Sequence, residues 1–451
     1  MQTADHNPDV TAPRRPLGPS YRKVFSASVI SNLGDGVSMI AYPWLASAIT
    51  RNPILVALVM VAQRLPWLVF TLPAGVITDR VDRRRAMVLM DACRCLLTAF
   101  VALAVLSQQS TLPAPDELDS VVHTRPLLYA AVLLATLLLG TAEVLRDNSA
   151  QTILPAIVEP DQLERANGQM WSVEGVANTF VGPPLGSILI AAAFALPFFV
   201  DAASFFVAAA LVATIPGSFR ATRPEGQEPA HWRVELKEGV RWLWSHDLLR
   251  PMAIILGLMN AASMVSLATF VLFAQEVLGV GPVLFSVVTM GGAVGGVVGG
   301  ALASRMSKRF GSGTCLAMVL GTSAAQGLAM AVNSWWPIAF LLFTLGTLVG
   351  ILWNVITVSL RQTIIPEHLL GRVNSVYRFF AWGMMPIGAA IGGVVVFVVD
   401  AFASRSMALR ATWLVNGLIY AGLFVVGRSK LTTEKIEAAR AAALPAEPAA
   451  T

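Results

Sequence analysis

The sequence has 451 residues, of which 55% are hydrophobic and 13% charged, and it carries a formal net charge of +5 at pH 7. Soluble domains contain about 25% charged residues, so this composition excludes an ordinary water-soluble fold. Charge-free runs longer than the roughly 20 residues that cross a bilayer core recur along the chain. Because a bilayer offers no water to unpaired backbone groups, such runs indicate transmembrane helices, and we predict an all-α membrane protein.

Twelve membrane segments are predicted, and we number them 1 to 12 in chain order. Their expected limits are 24–49, 54–78, 86–110, 126–152, 165–193, 197–216, 249–276, 282–304, 313–332, 337–360, 370–399 and 408–427.

Lysine and arginine in the short loops predict the orientation of these segments. Basic residues concentrate before segment 1, after segment 2 and after segment 8, and the loops on the other side carry few. Since positively charged loops remain on the cytoplasmic side, both termini are expected there, in the inner (plasma) membrane. The basic clusters thus indicate topology and contact with lipid headgroups, and no nucleic-acid partner is expected.

An internal repeat relates the two halves of the chain. Three residues around the loop after segment 2 recur 225 positions later, so that Gly75, Arg80 and Arg84 match Gly300, Arg305 and Arg309. The repeat predicts two copies of one six-helix bundle. The expected layout is a tail at 1–23, bundles at 24–216 and 249–428, a linker with an amphipathic helix at 217–248, and a second tail at 429–451.

Several motifs resemble those of a known transporter family. The pattern Gly75-x-x-x-Asp79-Arg80-x-x-Arg83-Arg84 resembles the signature that the major facilitator superfamily carries between its second and third helices. The stretches Asn32 to Gly36, Gly182 to Gly186 and Asp201 to Phe205 narrow the resemblance to the branch of enterobactin exporters, macrolide-efflux proteins and mycobacterial multidrug pumps. The resemblance implies two pseudo-symmetric six-helix bundles with a central cavity lined by segments 1, 4, 7 and 10.

Ionisable side chains inside a membrane segment are costly, so each is a functional candidate. Asp35 lies about eleven residues into segment 1, close to the bilayer midplane at roughly 1.5 Å per residue. A desolvated carboxyl there could bind and release a proton, or contact substrate. Alternatively, Asp35 is a fixed partner of Arg64 in segment 2, which is expected at a similar depth.

Segments 4, 5, 6 and 11 contain further charged candidates. Glu143, Arg146 and Asp147 share one helix face, because they stand at i, i+3 and i+4. They predict either a proton- or cation-binding site or, as favoured here, a salt-bridged gate that holds segment 4 against the loop after segment 2. Glu174, like Asp35, Arg64 and Glu143, is a candidate for transport or proton coupling, and Arg378 is a candidate for the cytoplasmic gate. The alternative for Glu174 and Arg378 is a helix-packing or gating contact. In segment 6, Asp201 is expected to cap or order the helix end.

Two motifs, one in segment 5 and one in the loop after segment 2, predict conformational change. Gly182, Pro183 and Gly186 resemble the antiporter signature of segment 5 and favour a hinge or a tight seal, since proline removes a backbone donor and glycine permits close approach. In the resembled family, the loop with Asp79 and its arginines latches the two halves. Here its expected contacts are Asp147 or the start of segment 11.

No enzyme motif, metal-ligand pattern or nucleotide-binding loop is found, so no cofactor or catalytic activity is expected. The sequence instead predicts a monomeric, proton-coupled exporter of a small hydrophobic or amphipathic compound. An importer of the same fold and a non-transporting sensor or assembly partner remain as alternatives. Five residues of segments 7 and 10 are expected to form a cavity wall: Met259, Asn260, Met264, Trp353 and Asn354.

Overall fold

The computed structural model describes residues 16–78, 80–115, 117–118, 123–220 and 232–443. Within them, twelve segments are helical and are long and apolar enough to cross a membrane, which confirms the predicted fold class. Segments 1 to 6 are Pro19–Ile49, Pro53–Thr78, Arg83–Ser107, Pro126–Ile157, 163–192 and Leu196–Ala213. Segments 7 to 12 are 249–276, Pro282–Phe310, Ser312–Val332, Trp336–Ile364, Glu367–Asp400 and Arg405–Lys430.

Segments 5 and 7 are not single regular helices. Segment 5 consists of Leu163–Gly175, a π-helical stretch at Val176–Val181, and Gly182–Ala192. Segment 7 consists of Leu249–Leu267 and Phe270–Glu276. Two further helices lie outside the membrane segments, the linker helix Trp232–Ser245 and the C-terminal helix Thr433–Ala443.

Proline sets several helix starts. Pro19, Pro53, Pro126 and Pro282 each stand in the first turn of a segment, where a missing backbone N–H costs little because that group would have no helical partner. Segment 1 therefore begins at Pro19, earlier than the expected limit of 24.

The two bundles use the same packing plan. Segment 4 packs on segments 2 and 3, and segment 6 packs on segments 1 and 3. In the second half, segment 10 packs on segments 8 and 9, and segment 12 packs on segments 7 and 9. Between the bundles, segment 2 packs on segment 11, and segment 5 packs on segment 8.

Glycine allows the backbones of segments 8 and 10 to touch. Gly291, Gly295 and Gly299 stand four residues apart on one helix face, and a Cβ added to any of them would lie 2.0–2.8 Å from a backbone oxygen of segment 10. Close contact between helix backbones is a common way for membrane helices to associate, because lipid supplies no hydrophobic drive between them.

The start of segment 1, the linker helix and the C-terminal helix contact the starts of segments 5, 11 and 9. We call this side of the molecule the terminal face, and the opposite side the far face. At the far face, a polar network joins the bundles, and we call it the far-face clamp. Arg51 of the first bundle pairs with Glu276 of the second, and Arg405 Nε donates to Glu276 Oε2 at 3.0 Å. Gln275 Nε2 also donates to Ser47 Oγ at 2.9 Å across the same boundary.

Candidate functional site

A charged cavity of about 210 Å³ lies inside the first bundle. Seven carboxyl or guanidinium side chains line it: Asp35, Arg64, Arg94, Glu143, Asp147, Glu174 and Asp201. Two tryptophans also line it, Trp67 of segment 2 and Trp382 of segment 11, and their rings stack with centroids 5.5 Å apart. One wall of this cavity therefore comes from the second bundle.

A chain of buried charges runs beside the cavity through segments 1, 3 and 4. Arg94 pairs with Asp35 and lies 3.6 Å from Asp91 Oδ1, with its guanidinium 3.9 Å from the ring centroid of Phe205. The same Asp91 oxygen is 3.5 Å from Arg146 Nε. Asp91, Arg94 and Arg146 are each at most 4% exposed. Charges this deeply buried need one another, because an unpaired ion in a low-dielectric interior is expensive.

The expected Asp35–Arg64 pair is not formed, because Asp35 faces Arg94 of segment 3 instead. Among the described residues, Arg64 makes no ion pair within 4 Å, although it lines the same cavity as Asp35. Similar depth along two helices was not enough to bring these side chains together, since depth says nothing about the direction in which each one points.

The expected gate at the end of segment 4 is also different. Arg146 contacts Asp91 of segment 3 and Asp147 of its own helix, at 3.5 and 3.4 Å. These contacts lie within the first bundle and do not involve the described residues of the loop after segment 2. Glu143 lines the charged cavity.

Glu174 and Arg378 do not meet. Both residues are exposed, Glu174 lines the charged cavity whereas Arg378 does not, and no contact joins them in the structure. Their similar distance from the helix ends was the only reason to expect a pair, and the two segments lie in different bundles.

The loop after segment 2 contacts the end of segment 6. Arg84 Nη1 donates to Ile215 O at 2.5 Å, the backbone N–H of Arg83 donates to Phe219 O at 3.3 Å, and Arg220 Nε donates to Arg80 O at 3.4 Å. Among the described side chains, these arginines make no ion pair with Asp147, and the side chains of residues 367–368 at the start of segment 11 lie outside the described residues. Gly75 lies in the last turns of segment 2, and Asp79 lies outside the described residues.

Asp82 fixes this loop to the start of segment 3. Its carboxylate accepts from the backbone N–H of Arg85 at 2.9 Å and of Phe219 at 2.8 Å, and from the Ser218 hydroxyl at 2.8 Å. Burial alone would raise the pKa of Asp82, but these hydrogen bonds and the nearby Arg84 charge lower it below its ordinary value.

Asp201 does not cap a helix end. It is buried in segment 6 with 2% exposure, and it accepts a hydrogen bond of 2.5 Å from the Ser38 hydroxyl of segment 1. Because it also lines the charged cavity, it joins the candidate site.

An apolar cavity of about 240 Å³ adjoins the charged one and lies between the bundles. Met60 of segment 2, Met264 and Phe270 of segment 7, and Phe285 of segment 8 line it. Of the five residues expected in the cavity wall, only Met264 is among its lining residues. Met259 and Trp353 are buried in the second bundle, and the Asn260 amide donates to Ala381 O of segment 11. Asn354 is exposed.

Segment 5 crosses segment 1 at van der Waals distance beside this cavity. A Cβ on Gly182 would lie 2.4 Å from Gly36 Cα, and one on Gly186 would lie 2.5 Å from Val37 O. Pro183 lines the apolar cavity, and the π-helical stretch ends directly before Gly182. Such stretches often occur at functional sites.

Asp91 and Arg94 were missed in the sequence. Both interrupt the apolar run of segment 3, three residues apart and so on one helix face. That spacing was a usable signal, since two charges on one face of a membrane helix indicate a buried pair or network.

Comparisons with known proteins agree with this architecture. The Major Facilitator Superfamily profile matches residues 24–389. The multidrug efflux pump Tap of Mycolicibacterium fortuitum is 25% identical over 390 residues, covering 82% of this chain and 87% of the pump. The enterobactin exporter EntS of Shigella boydii serotype 4 is 24% identical over 427 residues, covering 93% of this chain and 95% of the exporter.

Solved structures share the fold at low sequence identity. A point mutant of the nucleoside transporter NupG superposes with a TM-score of 0.66 at 10% identity, covering 92% of this chain and 100% of that one. An inward-facing bacterial homologue of the iron transporter ferroportin gives 0.62 at 15% identity, covering 90% and 98%. Since the profile matches most of the sequence and both halves adopt the repeated bundle, the chain belongs to the Major Facilitator Superfamily of transporters.

Proposed function

We propose that this protein is a proton-coupled exporter that moves a small hydrophobic or amphipathic compound, such as a drug, antibiotic or siderophore, out of the cytoplasm. In this proposal it works as a monomer in the inner membrane, with its terminal face in the cytoplasm. Two relatives with similar sequences are named as an efflux pump and an exporter, which favours export over import.

The observation that carries the proposal is that an apolar cavity and a charged cavity adjoin each other. The apolar cavity offers methionine and aromatic side chains that suit varied apolar compounds. The charged cavity places Asp35 and Glu143 inside the membrane region, beside a guanidinium that pairs with one of them. When Asp35 takes up a proton, its attraction to Arg94 weakens, so that proton binding can change how segments 1 and 3 hold each other.

Segment 5 provides a place for this change to reach the cavity. Gly36 and Gly182 let the backbones of segments 1 and 5 slide past each other in contact. The π-helical stretch Val176–Val181 can convert to regular α-helix and back. We assign Gly182, Pro183 and Gly186 to a hinge, and the loop that contains Arg80, Arg83 and Arg84 to closure of the terminal face.

The test is accumulation of a panel of candidate compounds in cells with and without the protein. Export predicts lower accumulation in cells that contain it, and a protonophore should abolish the difference. Asp35→Asn keeps the side-chain size but cannot take part in proton exchange, so it should reduce the difference at least tenfold. Asp161→Asn, which changes an exposed acid in the loop before segment 5, is the control and should transport normally.

Other outcomes separate the alternatives. Higher accumulation in cells that contain the protein would indicate import. Unchanged accumulation of every compound, at normal protein abundance, would favour a role in sensing or assembly. Normal transport by Asp35→Asn would remove Asp35 from the coupling mechanism.

A further inference from the structure

We infer that a third cavity, where segments 2, 3 and 4 reach the terminal face, binds one phospholipid with an anionic headgroup. The inference goes beyond the proposed transport function and does not depend on it, because it needs only the bilayer around the first bundle. The size of the cavity, its opening toward lipid and its charge support it in turn.

The cavity measures about 550 Å³ and is larger than either cavity of the candidate site. It lies between the end of segment 2, the start of segment 3 and the end of segment 4, beside the stretch that follows segment 6. Most of its wall is apolar and consists of Ile77, Val81, Leu89, Met90 and Leu145. Ligand pockets measure about 300–1,000 Å³ and have a mostly apolar lining, so this cavity has the size and the surface of one.

The cavity opens toward lipid, because one of its walls belongs to a lipid-facing surface. Leu89, Leu96, Phe100 and Leu103 follow one another at helical spacing along segment 3, and each is at least 54% exposed. Segment 3 packs mainly on segments 4 and 6 of its own bundle, so the described protein leaves this apolar face to the acyl chains of the bilayer. Since Leu89 also lines the cavity, a lipid chain can enter it from the side.

Two arginines at the cavity have no acidic partner. Arg85 and Arg220 line it and are exposed, and within the part of the chain that the structure describes neither makes an ion pair. Arg220 Nε donates to Arg80 O at 3.4 Å, but its two Nη groups and the whole Arg85 guanidinium make no hydrogen bond among these residues. The one carboxylate among the described lining residues, Asp82, already accepts from two backbone N–H groups and a hydroxyl. The cavity therefore has an excess of positive charge and free donors.

The arginines and the apolar wall are arranged as the two parts of a phospholipid are. Arg85 precedes Leu89 by one helical turn, about 6 Å along the axis and nearer to the terminal face. A phosphate can accept two parallel hydrogen bonds from a guanidinium, and basic pockets between membrane helices bind anionic headgroups. One acyl chain would then lie along Leu89 and Leu145. A zwitterionic headgroup would bring an ammonium group toward two guanidinium groups, which favours an anionic phospholipid.

A matched pair of lipids tests the headgroup. Dioleoylphosphatidylglycerol is anionic, and dioleoylphosphatidylcholine has the same chains and phosphate with an added ammonium group. Native mass spectrometry of the full chain, purified in a nonionic detergent and freed of lipid, measures the affinity for each. We expect the phosphatidylglycerol to bind at least about fivefold more tightly, because one basic residue near an anionic headgroup contributes about 1 kcal/mol. Inorganic phosphate and glycerol 1-phosphate, at the same concentration, should not displace it.

Two variants and a control locate the site. Arg85→Gln and Arg220→Gln should each weaken the binding of phosphatidylglycerol about fivefold and leave that of phosphatidylcholine within about twofold. Arg305→Gln removes an exposed arginine of segment 8, the repeat counterpart of Arg80, and should change neither affinity. Because Arg85 and Arg220 are exposed and lack ion pairs, both variants should keep the lipid-free unfolding temperature of the unmodified protein.

Equal affinity for the two lipids overturns the inference. So does an equal effect of Arg85→Gln and Arg305→Gln, because any basic residue of the terminal face would then suffice. Displacement of phosphatidylglycerol by either soluble phosphate overturns it as well, since the apolar wall would then contribute nothing. Failure of the proposed function would be seen differently, as unchanged accumulation of every candidate compound in cells while these lipid affinities are retained.

Discussion

The two bundles share one packing plan but place different chemistry at equivalent helix crossings. Where segment 1 meets segment 6, the Ser38 hydroxyl donates to the Asp201 carboxyl. Where segment 7 meets segment 12, Asn416 Nδ2 donates to Ala262 O at 2.8 Å and to Ser266 Oγ at 3.3 Å. Segment 3 carries Asp91 and Arg94, while the equivalent segment 9 carries no charged residue.

This difference suggests a division of work between the bundles. A neutral amide or hydroxyl keeps its hydrogen bonds over a wide pH range, whereas a carboxyl changes its charge and its role as a donor or acceptor when it binds a proton. The first bundle can therefore respond to protons, and the second can act as a constant framework against which the first moves.

The largest expected effect comes from removing the central charge of the first bundle. Arg94→Met would leave Asp35 without its partner and Asp91 with Arg146 alone, and removal of one member of a buried ion pair costs about 3–5 kcal/mol. We expect membrane abundance and the thermal unfolding temperature of the purified protein to fall sharply.

Arg94→Lys is the matched control, since it retains the charge but not the planar guanidinium above Phe205. It should lose less stability than Arg94→Met. Normal abundance and unfolding temperature for Arg94→Met would show that the buried charges of the first bundle do not depend on one another.

The next effect concerns the far-face clamp, which fixes the bundles to each other. Glu276→Gln removes the charge that Arg51 and Arg405 share, and hydrogen bonds to charged groups contribute about 1.5–3 kcal/mol. We expect the population with an open far face to rise roughly tenfold. Spin labels at Leu127 and Val332, one exposed position in each bundle, would report it as a longer distance component.

Asp400→Asn is the control for the clamp. It changes only the outer contact with Arg405, which is 3.1 Å long, and the Asp400 side chain is one-third exposed. The population with an open far face should therefore change little. If Glu276→Gln and Asp400→Asn give the same distance distribution as the unmodified protein, the clamp does not hold the far face closed.

The fold could be predicted well because the length of the segments, their apolar composition and the internal repeat can all be read directly along the sequence. The twelve segments and the two bundles depend on these features alone, and the described part of the structure has them. The charged site was predicted less well. Counting residues gave Asp35 and Arg64 a similar depth, but the partner of Asp35 is Arg94, whose position depends on how segment 3 rotates and packs against segments 1 and 4.

The same limit explains the errors elsewhere in the site. Whether Met259 or Met264 faces a cavity depends on the rotation of segment 7 and on its break at residues 268–269, which no periodicity in an all-apolar run reveals. Asp201 was assigned to a helix end from its position in segment 6, and its hydrogen bond with Ser38 comes from a helix 163 residues away in the sequence.

A smaller effect is expected at the starts of segments 3 and 9, the helices that follow the two copies of the repeated loop. Asp82 caps segment 3, whereas Thr433 Oγ1 accepts from Gly313 N at 3.1 Å at the start of segment 9. Asp82→Ala and Thr433→Ala should each lower stability by about 1 kcal/mol at pH 7. Because the pKa of Asp82 is lowered on folding, its contribution is fully present above its unfolded pKa of about 3.9.

Below that pH, the contribution of Asp82 is lost as the pH falls through the lower folded pKa. The difference in unfolding temperature between the unmodified protein and Asp82→Ala should therefore shrink as the pH falls below about 4. The difference caused by Thr433→Ala should stay constant, since a hydroxyl does not ionise there. A constant difference for Asp82→Ala as well would mean that its charge is not the stabilising feature.

The smallest expected effect is in the neutral crossing of the second bundle. Asn416→Ala removes two hydrogen bonds between segments 12 and 7, and such bonds between membrane helices contribute about 0.6 kcal/mol on average. We expect a slightly lower unfolding temperature and an unchanged transport rate. Asp201→Asn in the first bundle keeps the size of the side chain and an acceptor for Ser38, so it should change stability little and lower transport several-fold. If Asn416→Ala impairs transport as much as Asp201→Asn does, the second bundle is not a passive framework, because a neutral contact would then matter as much as an ionisable one.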